Sequence, residues 1–118
     1  MPRDTTRNEL VDPSRLAKIR ESMGEERTDA LLVMFRNELH RRLAAITRAS
    51  AAGAYRDLAR EAQALAGDAR AIGLDTLAER ALSAERSVRT EDARIVASAT
   101  GALAEAVHEA LLALRRRG

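Results

Sequence analysis

The sequence predicts an all-α fold: an up-down four-helix bundle with a short additional helix at its N-terminal end. Apolar residues recur at spacings of three and four almost throughout the 118 residues, and no stretch alternates apolar with polar residues over the length of a strand. The connections at 50–54, 73–75 and 88–91 are only a few residues long. Successive long helices must therefore fold back as antiparallel neighbours.

The first two helices are predicted from their end signals and their apolar stripes. Asp12 is a good N-cap, Pro13 follows at the first helical position, and this short helix stops near Gly24. The second helix starts within 25–29 and runs to Gly53. Its apolar stripe consists of Leu31, Leu32, Phe35, Leu39, Leu43 and Ile46. One apolar face on so long a helix predicts a packed bundle.

The third helix is predicted from Tyr55 to Ile72, with Gly73 as its C-terminal cap, and the fourth from 74–75 to about Arg89. Short glycine-containing turns separate the second helix from the third and the third from the fourth. Each of these helices carries its own apolar stripe at helical spacing, so both are expected to face the same core.

Thr90 followed by Glu91 and Asp92 predicts the start of the fifth helix. A hydroxyl cap and carboxylates in the first turn would satisfy the exposed backbone amides there. The apolar stripe that follows consists of Ile95, Val96, Ala99, Leu103, Val107, Leu111 and Leu114. No linker or low-complexity segment divides the chain, so we expect a disordered leader at 1–9 and a single bundle domain at 10–117.

The composition narrows the functional classes. The absence of cysteine excludes disulfides, thiolate zinc sites and a cysteine nucleophile, and it fits a cytoplasmic location. The chain has 20 basic and 18 acidic residues, so its net positive charge is small, and Phe35 and Tyr55 are its only aromatic residues. Binding to nucleic acid usually needs a basic surface and stacking aromatic side chains, so no nucleic-acid partner is expected. No apolar run approaches the roughly 20 residues that span a bilayer, so no membrane association is expected. No phosphate-cradling loop or metal-ligand pair is evident, so neither a cofactor nor a metal is expected.

Helices two and three carry a distinctive succession of segments. Leu-Val-Met-Phe-Arg-Asn-Glu-Leu-His-Arg-Arg-Leu spans 32–43, Ala-Ala-Gly-Ala-Tyr-Arg-Asp-Leu spans 51–58, and Ala-Gln-Ala-Leu-Ala-Gly spans 62–67, with Ile72 and Gly73 after it. This succession resembles the histidine-phosphotransfer (HPt) domain family over about residues 10–90, followed by a compatible last helix. The resemblance implies a role in two-component phosphorelay, with a response-regulator receiver domain or a histidine kinase as partner.

The residues that carry chemistry in the resembling family are missing from this chain. The family pattern is a histidine, two residues, a lysine and a glycine, with a further glycine six residues on. Aligned on Gly67 and Gly73, the histidine position holds Gln63 and the lysine position holds Ala66. A glutamine amide nitrogen is no nucleophile, because its lone pair is delocalised into the carbonyl. The resemblance therefore implies a non-phosphorylatable member with no catalytic residue, and not an enzyme.

The third helix is the candidate docking surface for a partner. Small residues would let a partner approach closely, and arginines would suit the acidic pocket of a receiver domain. The predicted partner-binding residues are Arg56, Ala59, Arg60, Gln63, Ala66, Gly67 and Arg70. Alternatively, the alanines are ordinary helix formers and the arginines a solvated face. Gly67 costs about 1 kcal/mol against alanine in mid-helix, which calls for the close approach of either a neighbouring helix or a partner.

Two further interpretations stay open at this stage. The chain is an active phosphotransfer protein that uses a different histidine, or it is a structural helical scaffold that only resembles the family. Its two histidines, His40 and His108, are expected to be surface or boundary residues, and no local spacing supports a metal site between them. The oligomeric state is not predicted.

Overall fold

The computed structural model describes residues 12–117 and is helical along most of that length. The helices are α1 (Pro13–Met23), α2 (Glu25–Ala52), α3 (Tyr55–Ala71), α4 (Asp75–Ser87) and α5 (Ala93–Arg117), with a 3-10 turn at Val88–Thr90 before α5. No strand occurs within the described residues, so the all-α prediction is confirmed. The leader predicted at 1–9 lies outside them.

The four long helices form a closed ring around one core. Helix α3 packs between α2 and α4, and α5 packs between α4 and α2. Because the connections are short, neighbours along the chain run antiparallel. The fully buried large side chains include Leu32, Leu39, Ile46, Leu58, Leu65, Leu74, Leu103, Val107 and Leu114. Buried alanines fill much of the remaining contact and allow the helix axes to approach closely. The predicted up-down four-helix bundle is confirmed.

Helix α1 is fastened to the turn between α3 and α4. Asp12 caps α1 by accepting the Ser14 N–H at 3.0 Å, and its own N–H donates to the Gly73 carbonyl at 2.9 Å. The Arg15 guanidinium donates to the Arg70 carbonyl at the end of α3. The Ser14 hydroxyl, which donates to the Asp12 carboxylate, and nearby backbone N–H groups lower the pKa of that carboxyl. These contacts hold α1 across one end of the bundle.

The start of α5 differs from the prediction. Asp92, and not Thr90, is the capping residue, because its Oδ1 accepts the Arg94 N–H at 2.9 Å. The Thr90 hydroxyl instead donates to the Ser87 carbonyl at 2.7 Å and accepts the Asp92 N–H at 3.1 Å. Glu91 adopts a left-handed φ of 54°, which separates the two segments. Thr90 and Asp92 lie two residues apart and both have side chains that can cap a helix, which made this boundary ambiguous in sequence.

Helix α5 is apolar along much of its length. An 18-residue window within Ala93–Arg115 has a mean hydropathy of 1.3, so the helix is long and apolar enough to cross a membrane by length and composition alone. In the structure α5 packs against α2 and α4, and 39% of the apolar window is buried. The sequence prediction concerned an uninterrupted apolar run, and Glu105 and Glu109 interrupt this one. The predicted stripe was wrong at Ile95, which is 46% exposed, while Val96 is buried.

We expect Gly73→Ala to destabilise the protein far more than Gly53→Ala. Both glycines have left-handed φ angles, 83° and 70°, so alanine at either position carries about 1 kcal/mol or more of backbone strain. Only at Gly73 would the new Cβ collide, at 2.8 Å from the Asp12 Cβ and 2.9 Å from the Arg15 Cβ. Urea denaturation followed by circular dichroism measures the two losses in free energy of unfolding. Equal losses would contradict the tight docking of α1 on this turn.

Candidate docking surface

Gln63 lies exposed in the middle of α3, on the side of the helix that faces away from the core. Arg56 and Arg70 are also exposed, seven residues before and after it. Seven residues are almost two helical turns, so the three side chains lie in one line with about 10 Å between successive positions. Gly67 is exposed one turn beyond Gln63. The structure thus brings four of the predicted docking residues onto one outward face.

The remaining predicted docking residues are placed less uniformly. Ala59 is half-buried, and Arg60 is exposed, with its Nη2 2.7 Å from the Asp57 Oδ1. Ala66 is only 1% exposed and lies in the core with Ala62. Its inclusion on the surface was wrong, because it belongs to the inner stripe of α3, whose small side chains serve helix packing. We keep the name "docking face" for Arg56, Ala59, Arg60, Gln63, Gly67 and Arg70.

Gly67 is not required by packing within this chain. A Cβ built at that position meets no heavy atom within 4 Å, and its backbone is regular helix without a positive φ. The close approach of a neighbouring helix is therefore excluded as the reason for a glycine here. An open, side-chain-free spot one turn from Gln63 leaves the helix backbone accessible to a partner.

A charged cluster joins α3 to α2 on the flank of α3 that is turned away from Gln63. The Arg42 Nη1 of α2 lies 2.9 Å from the Glu61 Oε1 of α3, and its Nη2 lies 3.0 Å from the Glu38 Oε2. The Arg42 Nε is 3.4 Å from the Asp68 Oδ2, an ion pair without hydrogen-bond geometry. The hydrogen bond from Arg41 lowers the pKa of the Glu38 carboxyl. These contacts hold α2 and α3 together.

Sequence reasoning missed this cluster. The spacing of Glu38 and Arg42 is a helical ion-pair spacing and was visible in the sequence. The contacts of Arg42 with Glu61 and Asp68 cross from α2 to α3, and no local pattern predicts them. These contacts depend on how the two helices are rotated about their own axes, which the sequence does not specify.

A second polar cluster lies on the other side of α2. The groove between α2 and α5 is lined by Arg36, Asn37, His40, His108, Leu111, Leu112 and Arg115, and we call it the α2–α5 groove. His40 and His108 are both exposed, as predicted, but sequence reasoning did not foresee that they share one site. They are far apart in the chain and line one groove because α2 packs on α5. Among the described residues, no group of three or more histidine, cysteine or acidic side chains could hold a metal ion.

The comparison with known families decides the classification. The Hpt domain model matches residues 30–117, about three quarters of the chain. The chain belongs to the Hpt domain family. Hpt domains are phosphotransfer carriers of two-component phosphorelays, in which they interact with histidine kinases and response regulators. The match covers most of α2 and all of α3, α4 and α5, while α1 lies outside it. No curated protein and no solved structure matches the chain.

We expect Gly67→Ala to stabilise this Hpt domain by about 0.5–1 kcal/mol, because alanine loses less backbone entropy in a helix and meets no neighbour here. Gly101→Ala is the matched control on α5, since Gly101 is exposed and a Cβ added there also meets no atom within 4 Å. Thermal and urea denaturation measure both gains. A loss of stability in the Gly67 variant alone would reveal a packing role and contradict the reading of an open surface.

Proposed function

We propose that this Hpt domain carries no phosphate and instead binds a response-regulator receiver domain or a histidine kinase, thereby modulating phosphorelay. The observation that carries the proposal is the exposed Gln63 at the centre of the docking face. We assign Gln63 to the position of the family's phosphoacceptor histidine from its spacing to Gly67 and Gly73. The proposal includes a cytoplasmic location, which the absence of cysteine fits.

The chemistry of residues 63 and 66 supports a domain that does not relay phosphate. In phosphoryl transfer from an aspartyl phosphate, a ring nitrogen of histidine bonds to phosphorus while the carboxylate leaves. The Gln63 amide has no available lone pair on nitrogen for this attack. Ala66 also supplies no cation to steady the transferring group. Both of the required side chains are therefore absent from this face.

The shape and charge of the docking face support binding to a signalling partner. Arg56 and Arg70 are exposed, and neither forms an ion pair with another described side chain. Their charges are available to the acidic phosphorylation pocket of a receiver domain. Gly67 leaves room for the partner's backbone between Gln63 and Arg70. A domain that occupies this pocket without accepting phosphate would compete with active carriers for the receiver.

We expect the double variant Arg56→Ala, Arg70→Ala to bind the cognate receiver or kinase about five- to tenfold more weakly, because two complementary charges are lost. The matched control is Arg80→Ala, Arg89→Ala, which removes two exposed arginines outside α3. Isothermal titration calorimetry against receivers and kinases encoded near the gene measures the affinities. If the unmodified protein binds none of them, the chain is a scaffold that shares only the family's bundle, and the proposal fails.

We further expect the double variant Gln63→His, Ala66→Lys to accept phosphate from a phosphorylated cognate receiver, while the unmodified protein does not. Residue 66 is buried, so a lysine there must extend its side chain from the core to bring the ammonium group to solvent, which lowers the stability of the folded protein. The single variant Gln63→His is therefore tested beside it. Acid-labile phosphate on either folded variant is the readout. No labelling of either variant, with a receiver shown to bind, would contradict the assignment of residue 63.

The second candidate function is active phosphotransfer through another histidine. It is favoured by the exposure of His40 and His108 in one groove with Arg36 and Arg115, which supplies imidazoles beside cations. Incubation of the unmodified protein with a phosphorylated receiver distinguishes the two functions. Acid-labile phosphate that disappears in His40→Gln or His108→Gln would establish this second function and overturn the first.

A further inference from the structure

The α2–α5 groove concentrates cationic and hydrogen-bond-donating side chains away from the docking face. Arg36, Asn37 and His40 enter it from α2, and His108 and Arg115 enter it from α5. No α3 residue is among the seven that line it, so the groove is separate from the face around Gln63. Neither the family pattern nor the binding function proposed first uses these residues; only the alternative of active phosphotransfer does.

The positive charge in the groove is not compensated by its lining. None of the seven lining residues is acidic, and neither Arg36 nor Arg115 forms an ion pair with another described side chain. Asp29 lies in the adjoining hollow that shares both arginines, but its Oδ1 is 3.1 Å from the Arg20 Nη1. Two permanent positive charges thus face one small concave site.

The groove is rich in donors and poor in acceptors. Each guanidinium offers five N–H donors, each imidazole offers at least one, and the Asn37 amide offers two. Among the lining side chains, the Asn37 oxygen is an acceptor in every protonation state, whereas an imidazole nitrogen accepts only when it carries no proton. Leu111 and Leu112 add an apolar wall, with Leu112 52% exposed. This combination suits a ligand with several anionic oxygens next to an apolar group.

We propose that the α2–α5 groove reversibly binds a phosphate group, carried by a phosphomonoester whose apolar part contacts Leu111 and Leu112. Two arginine charges match the two negative charges of a phosphate dianion, whereas a single carboxylate would leave one arginine uncompensated. Guanidinium groups also bind phosphate oxygens through paired N–H donors. His40 and His108 supply further donors from the two helices. No bond to phosphorus is formed or broken in this site.

Titration of the unmodified protein with inorganic phosphate and with phenyl phosphate tests the proposal, with the imidazole resonances of His40 and His108 followed by nuclear magnetic resonance at constant pH and ionic strength. Both imidazoles should shift and saturate with each ligand, and return after dialysis. Tighter binding of phenyl phosphate than of inorganic phosphate would show that Leu111 and Leu112 contact the apolar part of a phosphomonoester. Equal affinities would indicate that the site binds free phosphate. Inorganic phosphate is no phosphoryl donor, so the result does not depend on relay activity.

The double variant Arg36→Gln, Arg115→Gln should weaken phosphate binding about tenfold or more. If the double variant does not fold because Arg36 is half-buried, the single variant Arg115→Gln, at an exposed position, replaces it. The matched control is Arg80→Gln, at an exposed position on α4. The proposal is overturned if chloride at equal ionic strength produces the same shifts, if neither imidazole responds, or if the arginine variants bind as tightly as the control. Saturation by an acidic peptide but not by phosphate would also overturn it, in favour of a peptide-docking groove.

Discussion

Burial of the inner stripe of α3 is the constraint on which the rest of the molecule depends. Ala62, Leu65, Ala66 and Ala69 are all at most 1% exposed and must stay within the ring of helices. Once that stripe is buried, the helical repeat forces the positions on the opposite side outward. Gln63 is presented to solvent for this reason, and not through any contact of its own amide group.

The same constraint explains why residue 66 differs so much from residue 63. Three residues along a helix rotate the side chain by roughly 300°, which carries position 66 to the margin of the core. Alanine at this position packs in the core and places no charge on the docking face. The exposed surface around Gln63 and Gly67 is the part of α3 that a partner would contact, and its shape does not depend on a nucleophile or a cation at residues 63 and 66.

Much of the fold followed from the sequence because it rests on local signals. The left-handed glycines at 24, 53 and 73 and the cap at Asp12 are visible in the chain, and the helix bounds match them closely. The start of α5 was misplaced because neighbouring Thr90 and Asp92 both have capping side chains, and only the backbone turn at Glu91 selects between them.

The candidate sites were predicted less completely, for a physical reason. The exposed line through Arg56, Gln63 and Arg70 follows from helical periodicity alone, so the sequence contained it. The burial of Ala66 depends on how close α3 lies to its neighbours. The contact of Arg42 with Glu61 and the shared groove of His40 and His108 depend on pairs of helices, and no spacing along one helix encodes them.

The most direct test of the account is to map the binding surface of an unphosphorylated cognate receiver domain on this protein by backbone amide chemical shifts. The account predicts that the largest changes cluster on α3, at Arg56, Gln63, Gly67 and Arg70, with little change along the α2–α5 groove. Changes centred on α4 or α5, with Gln63 and Gly67 unaffected, would contradict it.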